Sequence, residues 1–366
     1  MKAKNGKDKQ IVKCVVWDLD NTLWNGVLLE GDRLTLRHGI IETITGLDRR
    51  GILQSIASRN DYQPAMAQLQ AFGIAEYFLY PQINWNAKSA SLKAIAEAIN
   101  IGLESLAFID DQAFERDEVN FTHPQVRCID ACDADRLLEM PELNPKFITA
   151  DSQIRRKMYL SDIARNAAET AFSGAQEEFL AGLDMRLTIA RARPEDLQRA
   201  EELTVRTHQL NTTGYTYSYD ELTGFLESEI YELLICELQD KYGTYGKIGL
   251  ALIERQPGQH RLKLLLMSCR VMSRGIGTII LNYLMSRAQA AGVTLQAEYI
   301  ANDRNRMMYI TFKFAGFREL QRNGEAVILE SDLSRRLPAF PAYVHVDIQP
   351  EAISPHRSDG NCQTTN

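Results

Sequence analysis

The chain has 366 residues, of which 45% are hydrophobic and 24% charged, and its formal net charge is -7. A chain of this length favours two domains of roughly 130 to 180 residues over a single core. The negative charge is spread along the sequence, which argues against generic binding to nucleic acid or to an anionic membrane.

The N-terminal ten residues are polar and rich in lysine, and no apolar segment typical of a signal peptide follows them. No apolar run approaches the roughly 20 residues that a membrane-spanning helix needs. The cysteines form no C-x-x-C pair and lie mostly in apolar contexts, which is typical of reduced thiols: Cys14, Cys128, Cys132, Cys236, Cys269 and Cys362. The sequence therefore predicts a cytoplasmic protein without disulfides.

The first part of the chain alternates between two kinds of apolar pattern. Short β-rich runs lie at 11–17, 52–57 and 106–109, and apolar residues at helical spacing lie at 64–72 and 89–99. This alternation predicts an α/β domain over residues 11–146, with a parallel sheet covered by helices. In such a domain, ligands bind at the carboxyl ends of the strands.

The rest of the chain has a different pattern. Residues 147–183 are predicted to be a helical connector, with Arg155, Arg156 and Lys157 near its start. Residues 184–336 are predicted to form a mixed α/β domain, and residues 347–366 a polar, disordered tail. In the mixed domain, strands are predicted at 247–254, 261–268 and 294–300, and helices at 194–208 and 275–291.

Polar side chains with complementary chemistry follow the predicted parallel strands. Asp18 and Asp20 directly follow the first strand in "VVWDLDNTLW", and Ser58 ends "LQSIAS". Asp110 and Asp111 close "LAFIDD", and Lys88 opens a helix.

These residue types suit phosphoryl transfer through an aspartyl-phosphate. One carboxylate attacks phosphorus, a second serves as acid and base, and others hold Mg²⁺. The serine donates to the phosphoryl oxygens and the lysine neutralises them. Four neighbouring carboxylates would repel one another without a cation, so the sequence predicts a Mg²⁺ site. By itself, D-x-D is also a common strand-end turn.

The four segments resemble, in order, the motifs of the haloacid dehalogenase-like phosphatases over residues 11–146. The resemblance implies that Asp18 is the nucleophile and Asp20 the acid and base. It implies that Asp110 and Asp111 bind Mg²⁺ together with Asp18 and the carbonyl of Asp20. Ser58, Arg59, Asn60 and Lys88 are the predicted phosphate-binding residues. The short interval between Asp20 and Ser58 predicts a capless, Rossmann-like member, whose site the second domain or a partner must cover.

The second half contains "LKLLLMSCRVMSRGIGTIILNYLM", which predicts a strand, a glycine-containing loop and a helix from about Gly275. Such a loop offers backbone N–H groups and a positive helix end to a pyrophosphate or phosphopantetheine. With "RPEDL" and "ANDRNRMMYITFKFAGFRE", it resembles the GNAT-type acyltransferases. Their usual loop is Q/R-x-x-G-x-G/A; here Gly275 and Gly277 match but the first position is Met272, so acyl-CoA binding stays open.

Cys269 closes the predicted strand, with Arg270 beside it and Arg274 nearby. Cations and a helix N-terminus lower a thiol pKa, so Cys269 is a candidate nucleophile; the alternative is a small buried apolar residue. His208, in "VRTHQLNTTG", is a candidate base for Cys269 or else a surface or capping residue.

Two further groups of polar residues have a less specific pattern. Gln209, Asn211 and Thr212 could contact a glyceryl hydroxyl or a pantetheine amide. Arg304, Arg306, Lys313 and Arg318 form either a basic face for an acidic carrier protein or an ordinary solvated surface.

A phosphatase-like domain followed by a GNAT-like domain with "MSCRVMSRGI" is similar to the FkbH-like proteins of polyketide biosynthesis. The resemblance implies formation of a glyceryl thioester on Cys269 from 1,3-bisphosphoglycerate, with loss of both phosphates. The glyceryl group then passes to the phosphopantetheine thiol of an acyl carrier protein, for an extender unit. Two alternatives remain: a Mg²⁺-dependent phosphatase fused to an acyl-CoA-dependent acyltransferase, and a non-catalytic scaffold for carrier proteins.

Overall fold

The computed structural model describes residues 11–334 and 336–349. The described residues divide into two compact units. The first runs to Gly174 and includes Tyr242–Gly246, and the second contains Ala175–Lys241 and the described residues from Lys247 onward.

The first unit is built around a parallel sheet. Its strands are β1 (Cys14–Trp17), β2 (Trp24–Asn25), β3 (Thr35–Leu36), β4 (Leu53–Ser58), β5 (Gln82–Ile83), β6 (Leu106–Asp110) and β7 (Arg127–Asp130). Its helices are α1 (Ile40–Arg49), α2 (Tyr62–Ala71), α3 (Lys88–Ile99), α4 (Ala113–Thr122), α5 (Ala150–Gln153) and α6 (Arg155–Ala171). Short 3-10 helices lie at Leu28–Glu30, Ala75–Tyr77, Leu103–Ser105, Ala131–Glu139 and Pro141–Leu143.

The five-stranded sheet has the order β5-β4-β1-β6-β7, and its neighbouring strands are all parallel. β1 is central because its residues are apolar on both faces: Val15 and Trp17 enter one core cluster, whereas Cys14 and Val16 enter the other. The chain moves to β4 on one side of β1 and later to β6 on the other. The strand order therefore reverses at β1, which is where open α/β sheets bind ligands.

Between β1 and β4 the chain carries the β2–β3 hairpin, the 3-10 helix Leu28–Glu30 and α1. This is the small insertion expected of a capless domain.

The second unit is built around a mixed sheet with the order β13-β14-β12-β11-β10-β9-β8-β15. Its strands are β8 (Met185–Arg191), β9 (Tyr231–Asp240), β10 (Gly243–Gln256), β11 (Gln259–Met267), β12 (Thr294–Ile300), β13 (Phe317–Asn323), β14 (Ala326–Ser331) and β15 (Val344–Ile348). Its helices are α7 (Gln176–Ala181), α8 (Leu197–Arg206), α9 (Tyr219–Glu227), α10 (Ile276–Ala290) and α11 (Arg306–Phe314), with 3-10 helices at Pro194–Asp196 and Cys269–Val271. The two sheets confirm the predicted α/β class of both domains.

β11 and β12 are parallel neighbours that separate before they end. They pair only where Gln259–Leu262 faces Thr294–Ala297. Beyond that point the segment Leu210–Thr212 lies between them: Thr212 N donates to Leu265 O at 3.0 Å, and Ile300 N donates to Thr212 O at 2.9 Å. The chain itself therefore closes the gap between the diverging strands.

The division of the chain differs from the sequence-based boundaries in two places. α5 and α6, predicted as part of a connector, belong to the first unit, where Arg155 Nη1 donates to Gly51 O at 2.7 Å and Arg156 binds Asp48. A strand, β15, pairs with β8 and runs to Ile348, past the predicted start of the tail. Residues 350–366 lie outside the described residues.

Two other expectations concern the thiols and the helices. The five cysteines in the described part of the chain are free thiols, and Cys362 lies outside it. Among the described helices, none has the length and apolar character needed to cross a membrane.

Candidate active sites

Three carboxylates meet at the carboxyl edge of the parallel sheet. Asp18 directly follows β1 and its N–H donates to Ile109 O of β6 at 2.9 Å, while Asp110 ends β6 and Asp111 follows it. Each of the three aspartates offers an oxygen that lies within 4.8 Å of the others. Asp18 and Asp110 are only 6% and 1% exposed, so water screens their charges poorly.

Lys88 supplies the positive charge within this cluster. It is the first residue of α3 and is buried, and its Nζ lies 2.5 Å from Asp18 Oδ1, 2.9 Å from Asp110 Oδ2 and 2.8 Å from Ala57 O. Burial opposes the charged form, but the two carboxylates outweigh it and raise the pKa of Lys88. Lys88 is therefore an ammonium that bridges two of the three carboxylates.

The start of α3 is held in place from α4. Glu118 accepts hydrogen bonds from the backbone N–H of Ser89 at 3.1 Å and from its hydroxyl at 2.5 Å. A carboxylate at a helix N-terminus interacts favourably with the helix dipole. This contact fixes the helical turn from which Lys88 reaches the carboxylates.

One ammonium does not balance three carboxylates, and the remaining groups fit a divalent cation. Burial, followed by repulsion from Asp18, raises the pKa of Asp110 and that of Asp111. Asp111 Oδ1 is buried without a hydrogen-bond partner among the described residues. Mg²⁺ prefers carboxylate oxygens and would satisfy this oxygen and offset the repulsion. The residues present therefore fit the metal predicted from the sequence.

Asp20 accepts three hydrogen bonds. Trp24 Nε1 and Leu28 N donate to Oδ1 at 2.8 and 3.1 Å, and Asn60 Nδ2 donates to Oδ2 at 3.0 Å. Asn60 Oδ1 in turn accepts from Asp61 N at 3.0 Å, which fixes the orientation of the amide. Burial raises the pKa of Asp20, while the Leu28 and Trp24 bonds oppose that rise. The three hydrogen bonds thus hold Asp20 in one orientation, and its raised pKa favours the protonated carboxyl.

The residues that follow β4 occupy the same edge with different partners. Ser58 is the last residue of β4 and is buried. Arg59 Nη1 binds Glu115 Oε1 of α4 at 2.9 Å. Asn60, a predicted phosphate-binding residue, donates to Asp20 Oδ2. Asp18, Asp20, Ser58, Lys88, Asp110 and Asp111 are therefore brought to one sheet edge, with Asn60 positioned to orient Asp20.

In the second unit, Cys269 follows β11 and begins the 3-10 helix Cys269–Val271, where its side chain is half-buried. The next helix, α10, begins after Gly275, whose φ of 73° is the left-handed conformation that favours glycine. Gly277 packs closely on the strand, because an added Cβ would lie 2.8 Å from Met267 Cε and that side chain would have to move. The glycines thus bring the start of α10 close to the end of β11.

The side chains of Arg270 and Arg274, which follow Cys269 in the sequence, are not fully exposed to solvent. Arg270 is half-buried and Arg274 is 3% exposed, with its guanidinium carbon 5.9 Å from the centre of the Phe179 ring. Both arginine side chains are therefore held partly or wholly within the fold near the loop that carries Cys269.

His208 lies outside the helix in which the sequence analysis placed it, at 194–208. α8 ends at Arg206, and His208 is exposed in the segment that leads to Leu210–Thr212. That segment runs antiparallel to β11, with Asn211 opposite Leu266 and Met267 N donating to Leu210 O at 2.9 Å.

Asn305, which the sequence prediction did not single out, holds this segment in place. It is fully buried, and its Nδ2 donates to Asn211 O at 3.0 Å, Ile300 O at 2.9 Å and Thr212 O at 3.4 Å. Its Oδ1 accepts from Tyr299 Oη at 3.0 Å and Asn302 N at 3.1 Å. The position of Asn305, just before α11, was the available signal, because a buried amide there must find several partners.

Asn211 and Thr212, considered from the sequence as ligand contacts, also have partners within the fold. Asn211 Oδ1 accepts from the N–H groups of Thr213 and Gly214, and Thr212 Oγ1 accepts from Leu265 N at 3.0 Å. These side chains therefore stabilise the segment that carries His208.

No protein family model matches the chain, and neither does any curated protein. Among similar solved structures is the N-terminal part of protein BF1531 from Bacteroides fragilis, which contains a phosphatase domain and is complexed with Mg. It is 28% identical, with a TM-score of 0.32 over 38% of this chain and 41% of that chain. This chain therefore spans less than half of that structure's length.

Two N-acetyltransferases are also similar. The ribosomal-protein-S18-alanine N-acetyltransferase from Escherichia coli is 19% identical, with a TM-score of 0.34 over 41% of this chain and 96% of that chain. The PaiA N-acetyltransferase from Thermoplasma acidophilum, in complex with coenzyme A, is 15% identical, with a TM-score of 0.33 over 40% of this chain and 98% of that chain.

Proposed function

We propose that the first unit is a Mg²⁺-dependent phosphatase that acts through an aspartyl-phosphate on Asp18. The observation that carries this proposal is the meeting of Asp18, Lys88, Asp110 and Asp111 at the edge where the strand order reverses. Mg²⁺ held by Asp18, Asp110, Asp111 and the carbonyl of Asp20 would supply the positive charge that offsets these carboxylates and the phosphoryl oxygens.

In this reaction a carboxylate oxygen of Asp18 attacks phosphorus, and the bond from phosphorus to the leaving oxygen breaks. Asp20 gives its proton to that oxygen, a role supported by its raised pKa and its fixed orientation. Water then attacks the aspartyl-phosphate while Asp20 takes a proton, which releases phosphate and restores Asp18. Lys88 and the hydroxyl of Ser58 stabilise the phosphoryl oxygens.

The second unit is proposed to carry a glyceryl group on Cys269. The thiolate attacks the carbonyl carbon of 1,3-bisphosphoglycerate, the bond from carbon to the phosphate oxygen breaks, and phosphate leaves. His208 acts as the base that takes the thiol proton; it precedes the segment that pairs with the end of β11, and Cys269 follows that strand. The phosphate groups are proposed to bind at Arg270, Arg274 and the start of α10 at Gly275 and Gly277.

The acceptor is proposed to be the phosphopantetheine thiol of an acyl carrier protein. This thiol attacks the thioester, takes the glyceryl group and releases Cys269. One face of α11 supports a protein partner of this kind, because it exposes two cations beside apolar side chains: Arg306, Met307, Lys313 and Phe314. Arg306 and Lys313 are seven positions apart, as are Met307 and Phe314, and seven positions are nearly two turns, so each pair is aligned along the helix. Acidic helical carriers are complementary to such a surface.

The two steps are proposed to divide the two phosphates. The acyl phosphate is already activated for attack by Cys269, whereas the 3-phosphate is an ester that requires the phosphatase site. The order of the two domains, with the cysteine in its loop, supports this assignment through the resemblance to the FkbH-like proteins.

The test is intact-protein mass spectrometry after incubation with Mg²⁺ and 1,3-bisphosphoglycerate. We expect a glyceryl adduct, removable by thiols, on the unaltered protein and none on Cys269→Ala. We expect Asp18→Asn to form an adduct that retains one phosphate. Loss of the adduct in Asp18→Asn would contradict the proposed division of the phosphates.

The alternative, a Mg²⁺-dependent phosphatase fused to an acyl-CoA-dependent acyltransferase, is favoured by one observation. α10 begins directly after Gly275, so the backbone N–H groups of its first turn could bind a pyrophosphate, as acyl-CoA binding requires. Turnover of acetyl-CoA by Cys269→Ala at the unaltered rate would support this alternative over the glyceryl thioester.

A further inference from the structure

The peptide group between Asp110 and Asp111 is held from both sides by side chains that the proposed chemistry does not use. Its carbonyl oxygen, that of Asp110, accepts from Arg116 Nη1 of α4 at 2.7 Å. Its N–H, that of Asp111, donates to Thr22 Oγ1 at 3.1 Å. Thr22 lies two residues after Asp20 and is fully buried. Side chains therefore fix both hydrogen-bonding groups of one peptide that joins two proposed Mg²⁺ ligands.

The place of this peptide in the sheet explains why side chains hold it. β6 ends at Asp110, which is paired with Asp130, the last residue of β7. The ladder of backbone hydrogen bonds therefore does not continue beyond Asp110. A buried backbone group without a partner costs free energy. Arg116 and Thr22 supply the partners that the sheet no longer offers at this point.

The carboxyl groups on the two sides of the peptide are held differently. Asp110 accepts from Gln112 N on Oδ1 at 2.8 Å and from Lys88 Nζ on Oδ2 at 2.9 Å. Within the described part of the chain, no other residue donates a hydrogen bond to the carboxyl group of Asp111, and its Oδ1 is buried without a partner. The direction of the Asp111 carboxyl therefore depends chiefly on its own backbone, and so on the orientation of the peptide that precedes it.

A second contact of Arg116 balances its charge. Arg116 Nη2 lies 2.5 Å from Asp130 Oδ2, and the two side chains are 18% and 39% exposed. Cys132 N donates to the other oxygen of Asp130 at 2.9 Å, which holds that carboxylate in place. Opposite charges this close largely cancel at a group farther away. Arg116 therefore adds little net charge near the carboxylate cluster, and its main contribution there is the position of the Asp110 carbonyl.

We propose that Thr22 and Arg116 are positioning residues that orient Asp111 for Mg²⁺ through the peptide they share. The inference rests on the Mg²⁺-dependent phosphatase proposed above and goes beyond its ligands, because neither side chain is proposed to touch metal or phosphate. Mg²⁺ requires nearly octahedral geometry, whereas Ca²⁺ accepts a wider range of arrangements. A peptide that is free to rotate therefore weakens Mg²⁺ binding more than Ca²⁺ binding.

The test measures metal affinity without turnover, from the rise in Tm of the full-length protein with increasing Mg²⁺ or Ca²⁺. Thr22→Val keeps the shape of the side chain and removes the acceptor of the Asp111 N–H. We expect it to weaken Mg²⁺ binding about 10- to 100-fold and Ca²⁺ binding by no more than about threefold. Thr22→Ser retains the hydroxyl and should keep Mg²⁺ affinity within about threefold of the unaltered protein. Thr43→Val is the matched control, because Thr43 is a buried threonine of α1 whose hydroxyl donates to Gly39 O.

Arg116→Met distinguishes positioning from charge. Removal of a cation near the site should by itself tighten Mg²⁺ binding, whereas loss of the contact with the Asp110 carbonyl should weaken it. We expect Mg²⁺ binding about tenfold weaker, with the preference for Mg²⁺ over Ca²⁺ reduced as in Thr22→Val. Arg127→Met is the control, because Arg127 is also ion-paired, with Glu142, but lies at the opposite end of β7.

The outcomes separate this inference from the function on which it rests. If Thr22→Val loses no more Mg²⁺ affinity than Thr43→Val, or loses Mg²⁺ and Ca²⁺ affinity equally, the shared peptide does not position Asp111 and the inference is overturned. Tighter Mg²⁺ binding by Arg116→Met would mean that Arg116 acts through its charge, which overturns its assignment as a positioning residue. If the unaltered protein shows neither a Mg²⁺-dependent rise in Tm nor hydrolysis of a generic phosphate ester, the phosphatase proposal itself fails.

Discussion

The two candidate active sites are held together by different kinds of interaction. In the first unit, the site consists of charged side chains from separate strands and helices, and Lys88 joins Asp18 to Asp110 across distances of 2.5 and 2.9 Å. In the second unit, backbone hydrogen bonds hold the segment Leu210–Thr212 against β11 and β12, and one buried amide fixes it. The first arrangement depends on charge and therefore on metal and pH. The second depends on backbone geometry and therefore on the amide of Asn305.

The largest effects should come from replacing each of the two proposed nucleophiles, Asp18 and Cys269, in separate variants. Asp18→Asn should lower hydrolysis of a generic phosphate ester by about a thousandfold or more, because an amide cannot form the aspartyl-phosphate. Cys269→Ala should abolish acyl loading and leave that hydrolysis within about twofold. Phosphate release and mass spectrometry measure the two activities. Matched controls are Asp117→Asn, at an exposed aspartate, and Cys128→Ala; loss of both activities in either nucleophile variant would mean that the sites do not act separately.

Asn305→Asp should affect only the site that is held by backbone contacts. The change keeps the shape of the side chain but replaces the Nδ2 donor, so three carbonyl oxygens face a carboxylate oxygen. We expect a loss of about 2 to 4 kcal/mol in the free energy of unfolding of the second unit. Acyl loading should fall, while phosphate ester hydrolysis at the first site should persist.

Asn302→Asp is the matched control for that experiment. Asn302 uses its side-chain oxygen, which accepts from the N–H groups of Arg304 and Asn305, and aspartate retains this acceptor. Denaturant unfolding and acyl loading should both remain close to those of the unaltered protein. If the two substitutions lower the free energy of unfolding and acyl loading equally, a negative charge at this turn is itself disruptive. The loss in Asn305→Asp would then not depend on the missing Nδ2 donor.

Metal and pH should affect the site that is held by charge. Burial, and then Asp18, raises the pKa of Asp110 to about 6. A carboxyl whose pKa is raised by folding stabilises the fold when it is protonated, and this contribution is lost as pH rises through about 6. Mg²⁺ binds the deprotonated form, so it should raise Tm more at about pH 8 than at about pH 5. Asp111→Asn should reduce this gain and Asp117→Asn should not; a gain that is independent of pH would contradict the assignment of these ligands.

The smallest effect should come from a single donor to Asp20. Trp24→Phe removes the indole N–H that lies 2.8 Å from Asp20 Oδ1 and leaves the Leu28 and Asn60 bonds in place. We expect kcat for a phosphate ester to fall about three- to tenfold with little change in KM. Trp85→Phe is the control, because Trp85 also donates to an aspartate, Asp61, but is 64% exposed. A larger change in KM than in kcat would indicate that Trp24 acts on substrate binding.

Sequence patterns predicted the first site better than the second. Apolar runs that end in polar residues place Asp18, Ser58 and Asp110 at one edge of any parallel sheet, because strands of the same direction end on the same side. The donors to Asp20 were not predicted. Trp24 is buried four residues after Asp20, and that position was the signal available, but the partner of Asn60 lies 40 residues away and depends on how the turns pack.

In the second unit, the strands around Cys269 and the helix after Gly275 agree with the sequence pattern. The pattern extended the helix at 194–208 too far, since α8 ends at Arg206. Apolar periodicity does not indicate that the next residues leave the helix to fill a gap between two strands. The sequence analysis did not predict β15. This edge strand is recognised by its pairing with β8, which is distant in the chain and which local periodicity does not show.

By itself, the sequence determined the α/β class of both domains, the sheet edge that carries the aspartates and the cysteine at a glycine-containing loop. These features follow from local periodicity and from the fixed geometry of parallel strands. Only the tertiary structure decided which oxygen of Asp20 each donor meets, how Lys88 shares its charge and how Asn305 holds the segment after α8. Those contacts join residues far apart in the chain, so they depend on the packing of side chains and turns, which local patterns do not specify.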